Sequence, residues 1–187
     1  IVGENGAGKS TLMSVLYGFY AADSGQIAVF GQAATIRHAD DAIALGIGMV
    51  HQHFQLVPVM TVAENLILGD EPKRGLFINQ KAARAEIIAL SKRYGLEVDP
   101  DAVIEDLPVG MQQRVEILKA LRKDVKLLIL DEPTRGLDYQ AKNELTRILI
   151  EFARATGKCV LLATHDVELV AELASRVIFI ADGEIVA

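Results

Sequence analysis

The sequence has few cysteines and no long apolar runs, and these shortages exclude some classes of protein. Only one of its 187 residues is a cysteine, Cys159, which excludes a disulfide framework and fits a reducing compartment. Because Cys159 lies in the apolar run CVLLAT, we expect its thiol to be buried. No apolar run approaches the ~20 residues of a membrane-spanning helix, and we expect no signal peptide.

Positive charge is also scarce. The chain has 19 Lys and Arg against 25 Asp and Glu, a net charge of −6. A surface that neutralises nucleic-acid phosphates or anionic lipid needs the opposite balance, so the composition argues against nucleic-acid partners. The chain does not begin with methionine but with Ile1-Val2, directly before a glycine loop, which favours a fragment of a longer protein.

Short aliphatic runs without alternation recur along the chain and end at polar or glycine residues. They are IGMV (47–50), VKLLIL (125–130), CVLLAT (159–164) and VIFI (177–180). Such runs are typical of strands buried on both faces of a parallel sheet. Helical patterns lie between them, so the sequence predicts an α/β fold with helices flanking a parallel sheet. At the C-terminal end, Asp182-Gly183 predicts a hairpin turn.

Helical signals replace these runs in the middle of the chain. Thr61 and Glu64 form a capping box, and Asn79 can cap a helix that Gly95 ends. We therefore predict one domain in which a helical subdomain interrupts a core. The predicted core is 1–56 and 115–187, and the predicted subdomain is 57–114.

The segment GENGAGKS, Gly3 to Ser10, matches G-x-x-x-x-G-K-[ST] and follows an apolar pair. In this motif backbone N–H groups and a helix N-terminus surround phosphates, while Lys9 reaches the β- and γ-phosphates and Ser10 can ligate Mg²⁺. Thr11 adds a predicted α-phosphate contact. A chance glycine turn with a surface lysine is the alternative. The predicted nucleotide-binding residues are Gly3, Asn5, Gly6, Gly8, Lys9, Ser10 and Thr11.

Two carboxylates end the strand run LLILDE, at the edge where open α/β sheets bind ligands. Asp131 can hold Mg²⁺ through water, and Glu132 can act as the general base on the attacking water. His165, after the run CVLLAT, can bridge a γ-phosphate and a neighbouring loop. The alternatives are a solvated acidic turn and a helix-capping or core histidine.

The segment HQHF follows the run IGMV. Gln52 carries an amide that can reach Mg²⁺ and the attacking water, so it joins Ser10 and Asp131 as a predicted metal contact. His51 and His53 are two residues apart and could form a metal pair, although no third ligand is near in sequence.

In order along the chain, these segments resemble the ATP-binding cassette (ABC) family of P-loop NTPases. The resemblance rests on GENGAGKST, VHQHFQLVP, LPVGMQQRVEILKAL, LLILDEPT, RGLD and ATHD. Phrases such as GMVHQHFQLVP and TVAENLILG resemble the ATPases of nucleoside and simple-sugar importers more narrowly. The resemblance implies a RecA-like sheet with an inserted helical subdomain, and a chain that lacks the strands and the adenine-stacking residue before the phosphate loop. We therefore expect weak ATP binding by this chain alone.

The same resemblance implies ATP and Mg²⁺ as cofactors and catalysis by Glu132, His165 and Gln52. Two cassettes, in a homodimer or in one chain, would sandwich ATP between the phosphate loop of one and the signature of the other. The signature residues here are Pro108, Val109, Gly110, Met111 and Gln112, and Asp138 belongs to the D-loop. Closure of the paired cassettes would drive the transport movement of permease subunits, with the cassettes at the cytoplasmic face of the membrane. A substrate-binding protein would be an indirect partner.

One residue departs from the family pattern. The signature usually has a serine where this chain has Pro108, which offers neither a hydroxyl nor an N–H to a phosphate. Weakened function, a dead half-site and no effect all remain open. A cassette ATPase without a transport role, and a half that binds but does not hydrolyse ATP, are the competing functions.

Overall fold

The computed structural model of the chain describes residues 1–74, 77–123 and 125–186. The helices are α1 (Lys9–Tyr17), α2 (Ala39–Ala44), α3 (Val62–Ile67), α4 (Gln80–Tyr94), α5 (Val109–Leu121), α6 (Tyr139–Thr156) and α7 (Val167–Leu173), with a 3₁₀ turn at Ile104–Asp106. The strands are β1 (Ile27–Val29), β2 (Gln32–Ala34), β3 (Ile47–Val50), β4 (Lys73–Arg74), β5 (Phe77–Ile78), β6 (Leu127–Asp131), β7 (Cys159–Ala163), β8 (Ile180–Ala181) and β9 (Glu184–Ile185).

A parallel sheet forms the centre of the molecule. Strand β6 lies between β3 and β7, and Val2 extends the sheet by pairing in parallel with Thr164 and Phe179. Leu128 and Leu130 of β6 pack into one hydrophobic cluster and Ile129 packs into another. Both faces of the sheet are therefore buried, which is why its strands lack the alternation of a half-exposed sheet. The predicted α/β fold is confirmed.

Each face of the sheet has its own layer. On one face Met13 of α1 and Ala42 of α2, both fully buried, pack with Ile129. On the other face a larger cluster joins β6 to α3, α4, α5 and α6 through residues such as Ile87 and Leu149. The middle of the chain thus shares a continuous core with the sheet, so burial of this second face holds the two together.

The helical middle region forms where its caps predict. The Thr61 hydroxyl accepts a hydrogen bond from the Glu64 N–H, the Glu64 carboxylate accepts one from the Thr61 N–H, and Asn79 caps α4. Gly95 ends α4 with a left-handed backbone. The short antiparallel pair β4–β5 interrupts a region predicted to be helical. Helix α5 runs unbroken across the predicted boundary at 114/115, so the division into 57–114 and its flanks stays a prediction.

Three details differ from the sequence prediction. The run VIFI contributes only its last residue, Ile180, to a strand, although Phe179 makes a single sheet bridge. Cys159 is exposed rather than buried, because it begins β7 and that strand becomes buried only toward Ala163. The hairpin β1–β2 was not predicted. The hairpin β8–β9 turns at Asp182-Gly183 as predicted.

Candidate active site

The phosphate-loop motif connects Val2 in the sheet to α1. Gly3 lies so close to the neighbouring strand that a Cβ atom there would stand 2.3 Å from the Ile180 carbonyl oxygen. Gly8 is the N-cap of α1 with φ 96°, a conformation that side chains other than glycine rarely adopt. The close approach at Gly3 and the left-handed backbone at Gly8 therefore each favour glycine. With glycine at both positions, the chain can turn from the sheet into α1 and place the first N–H groups of α1 at the edge of the sheet.

Lys9 is buried at the centre of this loop. Its Nζ donates to the carbonyl oxygens of Gly3, at 2.8 Å, and Glu4, at 3.0 Å, and lies 3.3 Å from Oε1 of Glu132. A lysine that is 5% exposed needs such partners, because burying an unpaired ammonium is costly. The lysine therefore joins the loop electrostatically to the carboxylate at the end of β6.

Ser10 and Asp131 form the second link between the loop and the sheet. The Ser10 hydroxyl donates to Oδ1 of Asp131 at 3.0 Å, across 121 residues of sequence. Burial raises the pKa of the Asp131 carboxyl, an effect that the Ser10 hydrogen bond opposes and the neighbouring Glu132 reinforces. A hydroxyl next to a carboxylate is an oxygen donor set suited to Mg²⁺, so these residues fit the predicted metal.

Glu132 occupies a strained and closely held position. It is 6% exposed and its φ of 48° is rare for a residue other than glycine. Its Oε2 lies 2.8 Å from His165 Nδ1 and accepts from the Thr164 hydroxyl at 3.4 Å. Backbone strain of this kind often accompanies a functional site, where neighbours hold the side chain in one orientation.

Lys9, Ser10, Glu132 and His165 open onto one polar cleft of about 610 Å³. It is lined by Asn5, Gly6, Gly8, Lys9, Ser10, Thr11, Gln52, Glu132, Arg135 and His165. The structure thus brings the predicted phosphate-loop residues other than Gly3 together with Gln52, Glu132 and His165, while Asp131 does not line the cleft but is hydrogen-bonded to Ser10. The sequence analysis did not predict two residues of the site, Arg135 and Thr164. Arg135 lies in the segment DEPTR and Thr164 in the segment ATHD. Both segments follow the ends of strands, and that position could have indicated these residues.

The signature segment lies at a different cleft, of about 420 Å³. Its lining includes Pro108, Val109, Gly110, Met111 and Asp138, and among the described residues it shares none with the first cleft. Pro108 is the N-cap of α5 and not a first-turn residue, and it gives α5 no side-chain cap. Gln112 donates its amide to the Leu107 carbonyl, and Asp138 caps α6 by accepting from the Ala141 N–H at 2.8 Å.

The histidine pair does not form a metal site in this fold. The His51 ring packs against Tyr17 and Phe19, with centroids 6.0 and 5.3 Å away. Burial lowers the pKa of His51, and Lys119 lowers it further. Within the described ranges, no group of three or more His, Cys, Asp or Glu is placed to hold a metal ion. His51 is thus a partly buried residue that packs against two aromatic rings.

Curated relatives match nearly the whole chain. The nucleoside import ATP-binding protein NupA of Lactococcus lactis subsp. cremoris is 46% identical over 184 residues, which are 98% of this chain and 36% of that protein. The guanosine import ATP-binding protein NupO of Bacillus subtilis is 47% identical over the same shares of the two chains. The chain thus spans little more than a third of these relatives.

Solved structures resemble the fold over the full chain. CbiO1 of Clostridium perfringens, part of the ABC transporter complex cbiONQ, aligns with a TM-score of 0.82 and 29% identity, covering 100% of this chain and 74% of that one. The ATP-binding cassette MJ0796, as a dimer in a post-hydrolysis state bound to ADP and Pi, aligns with a TM-score of 0.78 and 26% identity, covering 100% and 82%. The sequence profile described as "ABC transporter" matches residues 1–135. The chain therefore belongs to the ABC transporter family, as an ATP-binding cassette.

Proposed function

We propose that the chain is the ATP-hydrolysing cassette of an importer, for nucleosides or simple sugars. The arrangement around Glu132 carries this proposal. Its carboxylate is held between the Lys9 ammonium at 3.3 Å and the His165 ring at 2.8 Å, at the rim of the cleft that the phosphate loop lines. A buried, oriented carboxylate next to a phosphate-binding loop can act as the general base for attack by water.

The electrostatics of the cleft suit the triphosphate of ATP. Asn5, Gly6, Gly8 and Thr11 line it beside Lys9, and the N-terminus of α1 points its free N–H groups at the same space. A γ-phosphate near Lys9 would compete with Glu132 for the ammonium. The Glu132 carboxylate would then be freer to accept a proton from water, which links phosphate binding to activation of the base.

Ser10, Asp131 and Gln52 are the residues that would hold Mg²⁺. When bound, the cation neutralises charge on the β- and γ-phosphates. Ser10 and Asp131 are already oriented toward each other by their hydrogen bond. Gln52 lines the same cleft, so its amide can orient the attacking water while His165 contacts the γ-phosphate.

The signature segment supports a second cassette as partner. Pro108, Val109, Gly110 and Met111 face a cleft separate from the chain's own phosphate loop, together with Asp138. We propose that this surface contacts ATP bound by another cassette, either a second copy or a tandem half of the same protein. The ATP-binding cassette MJ0796, a structural relative, forms a dimer in a post-hydrolysis state bound to ADP and Pi, which supports pairing of cassettes here.

The names of the relatives support import as the coupled process, since NupA and NupO are import ATP-binding proteins. Among the described residues, no helix has both the length and the apolar character needed to cross a bilayer. We propose that permease subunits contact the exposed aromatic side chains of Phe19 and Tyr20, close to the loop that carries Gln52. The cassette would then lie peripherally at the cytoplasmic face of the cell membrane, where ATP is available.

Uptake into vesicles tests this proposal. The complete protein and its copurifying membrane subunits are reconstituted with ATP on the cassette side, and labelled guanosine and ribose are offered on the other. We expect ATP-dependent accumulation of one of these compounds and none with a non-hydrolysable ATP analogue. Turnover of ATP without any copurifying multi-span membrane protein would instead favour a cassette ATPase with no transport role.

A further inference from the structure

Glu116 is a buried carboxylate that the proposed reaction does not use. It lies in α5, eight positions after Pro108 at the start of that helix, and it is only 4% exposed. Burial raises the pKa of the Glu116 carboxyl, so its ionised form is held in the folded chain at a cost. A buried acid that serves only packing would be replaced without loss by an apolar residue, which raises the question of what this one holds.

The contacts of Glu116 give the answer. Its Oε1 accepts a hydrogen bond from the backbone N–H of Gln55. One turn further along α5, the Lys119 ammonium donates to the carbonyl oxygen of the same Gln55 at 2.8 Å. Both backbone polar groups of Gln55 are thus held by side chains of α5, while its own side chain is exposed. We call this pair of contacts the Gln55 clasp.

The clasp joins two parts of the molecule that serve different clefts. Gln55 is three residues beyond Gln52, which lines the phosphate-loop cleft. Helix α5 carries Pro108 and Gly110 at its N-terminus, in the signature cleft. Because a helix is a rigid element, a displacement of α5 would be passed to the Gln55 peptide, and from there through three residues to the Gln52 amide.

From this geometry we infer that Glu116 is a positioning residue for ATP hydrolysis, which fixes the loop of Gln52 to the signature helix through the Gln55 backbone. The inference rests on the proposed function for its catalytic consequence. It assigns to Glu116 no contact with nucleotide. It predicts that removal of the carboxylate misplaces Gln52 and slows hydrolysis without weakening ATP binding, because small displacements of an orienting group act on the transition state.

The test compares Glu116→Ala, Glu116→Gln and Gln52→Ala in the complete protein assembled with its partner subunits. Glu116→Ala is expected to lower kcat about tenfold and to leave KM for ATP within about twofold, while Glu116→Gln, which keeps an acceptor oxygen, stays within about threefold of the wild type. In the Gln52→Ala background, Glu116→Ala should cause no further loss beyond about twofold. Glu97→Ala, at an exposed glutamate, controls for loss of a charge.

The inference would be overturned if the losses of kcat from Gln52→Ala and Glu116→Ala multiplied in the double variant. It would also be overturned if Glu116→Gln lowered kcat as much as Glu116→Ala. A second measurement is independent of turnover. Amide hydrogen exchange at Gln55 should become about tenfold faster in Glu116→Ala and stay unchanged in Glu97→Ala. Unchanged exchange at Gln55 would refute the clasp itself. An inactive wild-type complex with the expected exchange result would instead count against the proposed ATPase function alone.

Discussion

Replacing Pro108 by serine tests whether the signature of this cassette is weakened. Pro108 caps α5 without any side-chain hydrogen bond, so a serine would add one cap to the free N–H groups of the first turn. That bond stabilises the folded state by about 0.5–2 kcal/mol, whereas loss of the rigid proline ring favours the unfolded chain by about 0.4–1 kcal/mol. The two terms nearly cancel, so the free energy of unfolding should change by less than about 2 kcal/mol.

The effect on the shared site should be larger. A serine hydroxyl can accept from its own helix and at the same time donate its hydrogen to a phosphate of the partner's ATP. Such a charge-assisted bond contributes about 1.5–3 kcal/mol, which corresponds to roughly ten- to a hundredfold in the stability of the closed cassette pair. We therefore expect Pro108→Ser to raise the rate of phosphate release by the assembled complex at limiting ATP.

Pro108→Ala is the matched control, because it removes the ring without supplying a hydroxyl. Phosphate release is measured with saturating Mg²⁺ for the three proteins, and chemical denaturation checks that their stabilities agree within the range given above. If Pro108→Ser and Pro108→Ala both hydrolyse ATP at the wild-type rate, the missing hydroxyl does not limit the site and the reasoning is refuted.

Two further predictions concern the chain itself. Asn65→Ala should lower the free energy of unfolding by about 2–4 kcal/mol in denaturant titrations, because the fully buried Asn65 amide accepts from the Val57 N–H at 2.7 Å and donates to backbone carbonyls that the variant leaves unpaired. An unchanged denaturation midpoint would contradict this. Asp131→Asn should raise the free energy of unfolding at neutral pH, since burial raises the pKa of the Asp131 carboxyl and the folded state carries its charge at a cost. That cost disappears as pH falls through the raised folded pKa to the unfolded value near 3.8. The free energy of unfolding of the variant should therefore exceed that of the wild type by less and less as pH falls over that window. A difference in free energy that stays constant with pH would contradict the prediction.

The sheet and the cleft could be predicted largely from local patterns. The runs IGMV, LLILD and CVLLA become β3, β6 and β7 because both faces of the sheet are covered, which leaves an apolar signal at every position. The phosphate loop follows Val2 and precedes α1 as the motif requires. The hairpin β1–β2 escaped prediction because its strands have three residues each and are only partly buried, so no long apolar run indicates them.

The contacts inside the site depend on the tertiary fold. Nothing local to Glu132 indicates that its φ is 48° or that Lys9, 123 positions earlier, lies beside it. Thr164 looked like the end of a strand, yet its hydroxyl donates to Glu132 because parallel strands bring their carboxyl ends to one edge. The exposure of the Cys159 thiol likewise depends on where β7 begins relative to the residues that pack over it, which composition does not encode.

Above all, we expect Glu132 to act as the general base for hydrolysis of ATP in this cleft. The most direct measurement is the rate of phosphate release by the complete, assembled protein, compared with its Glu132→Gln variant under saturating Mg²⁺ and ATP. The amide keeps the size of the side chain and removes its basicity, so the rate should fall by about 10²–10⁴-fold while ATP binding is retained. A variant that hydrolyses ATP at close to the wild-type rate would contradict the proposed role of Glu132.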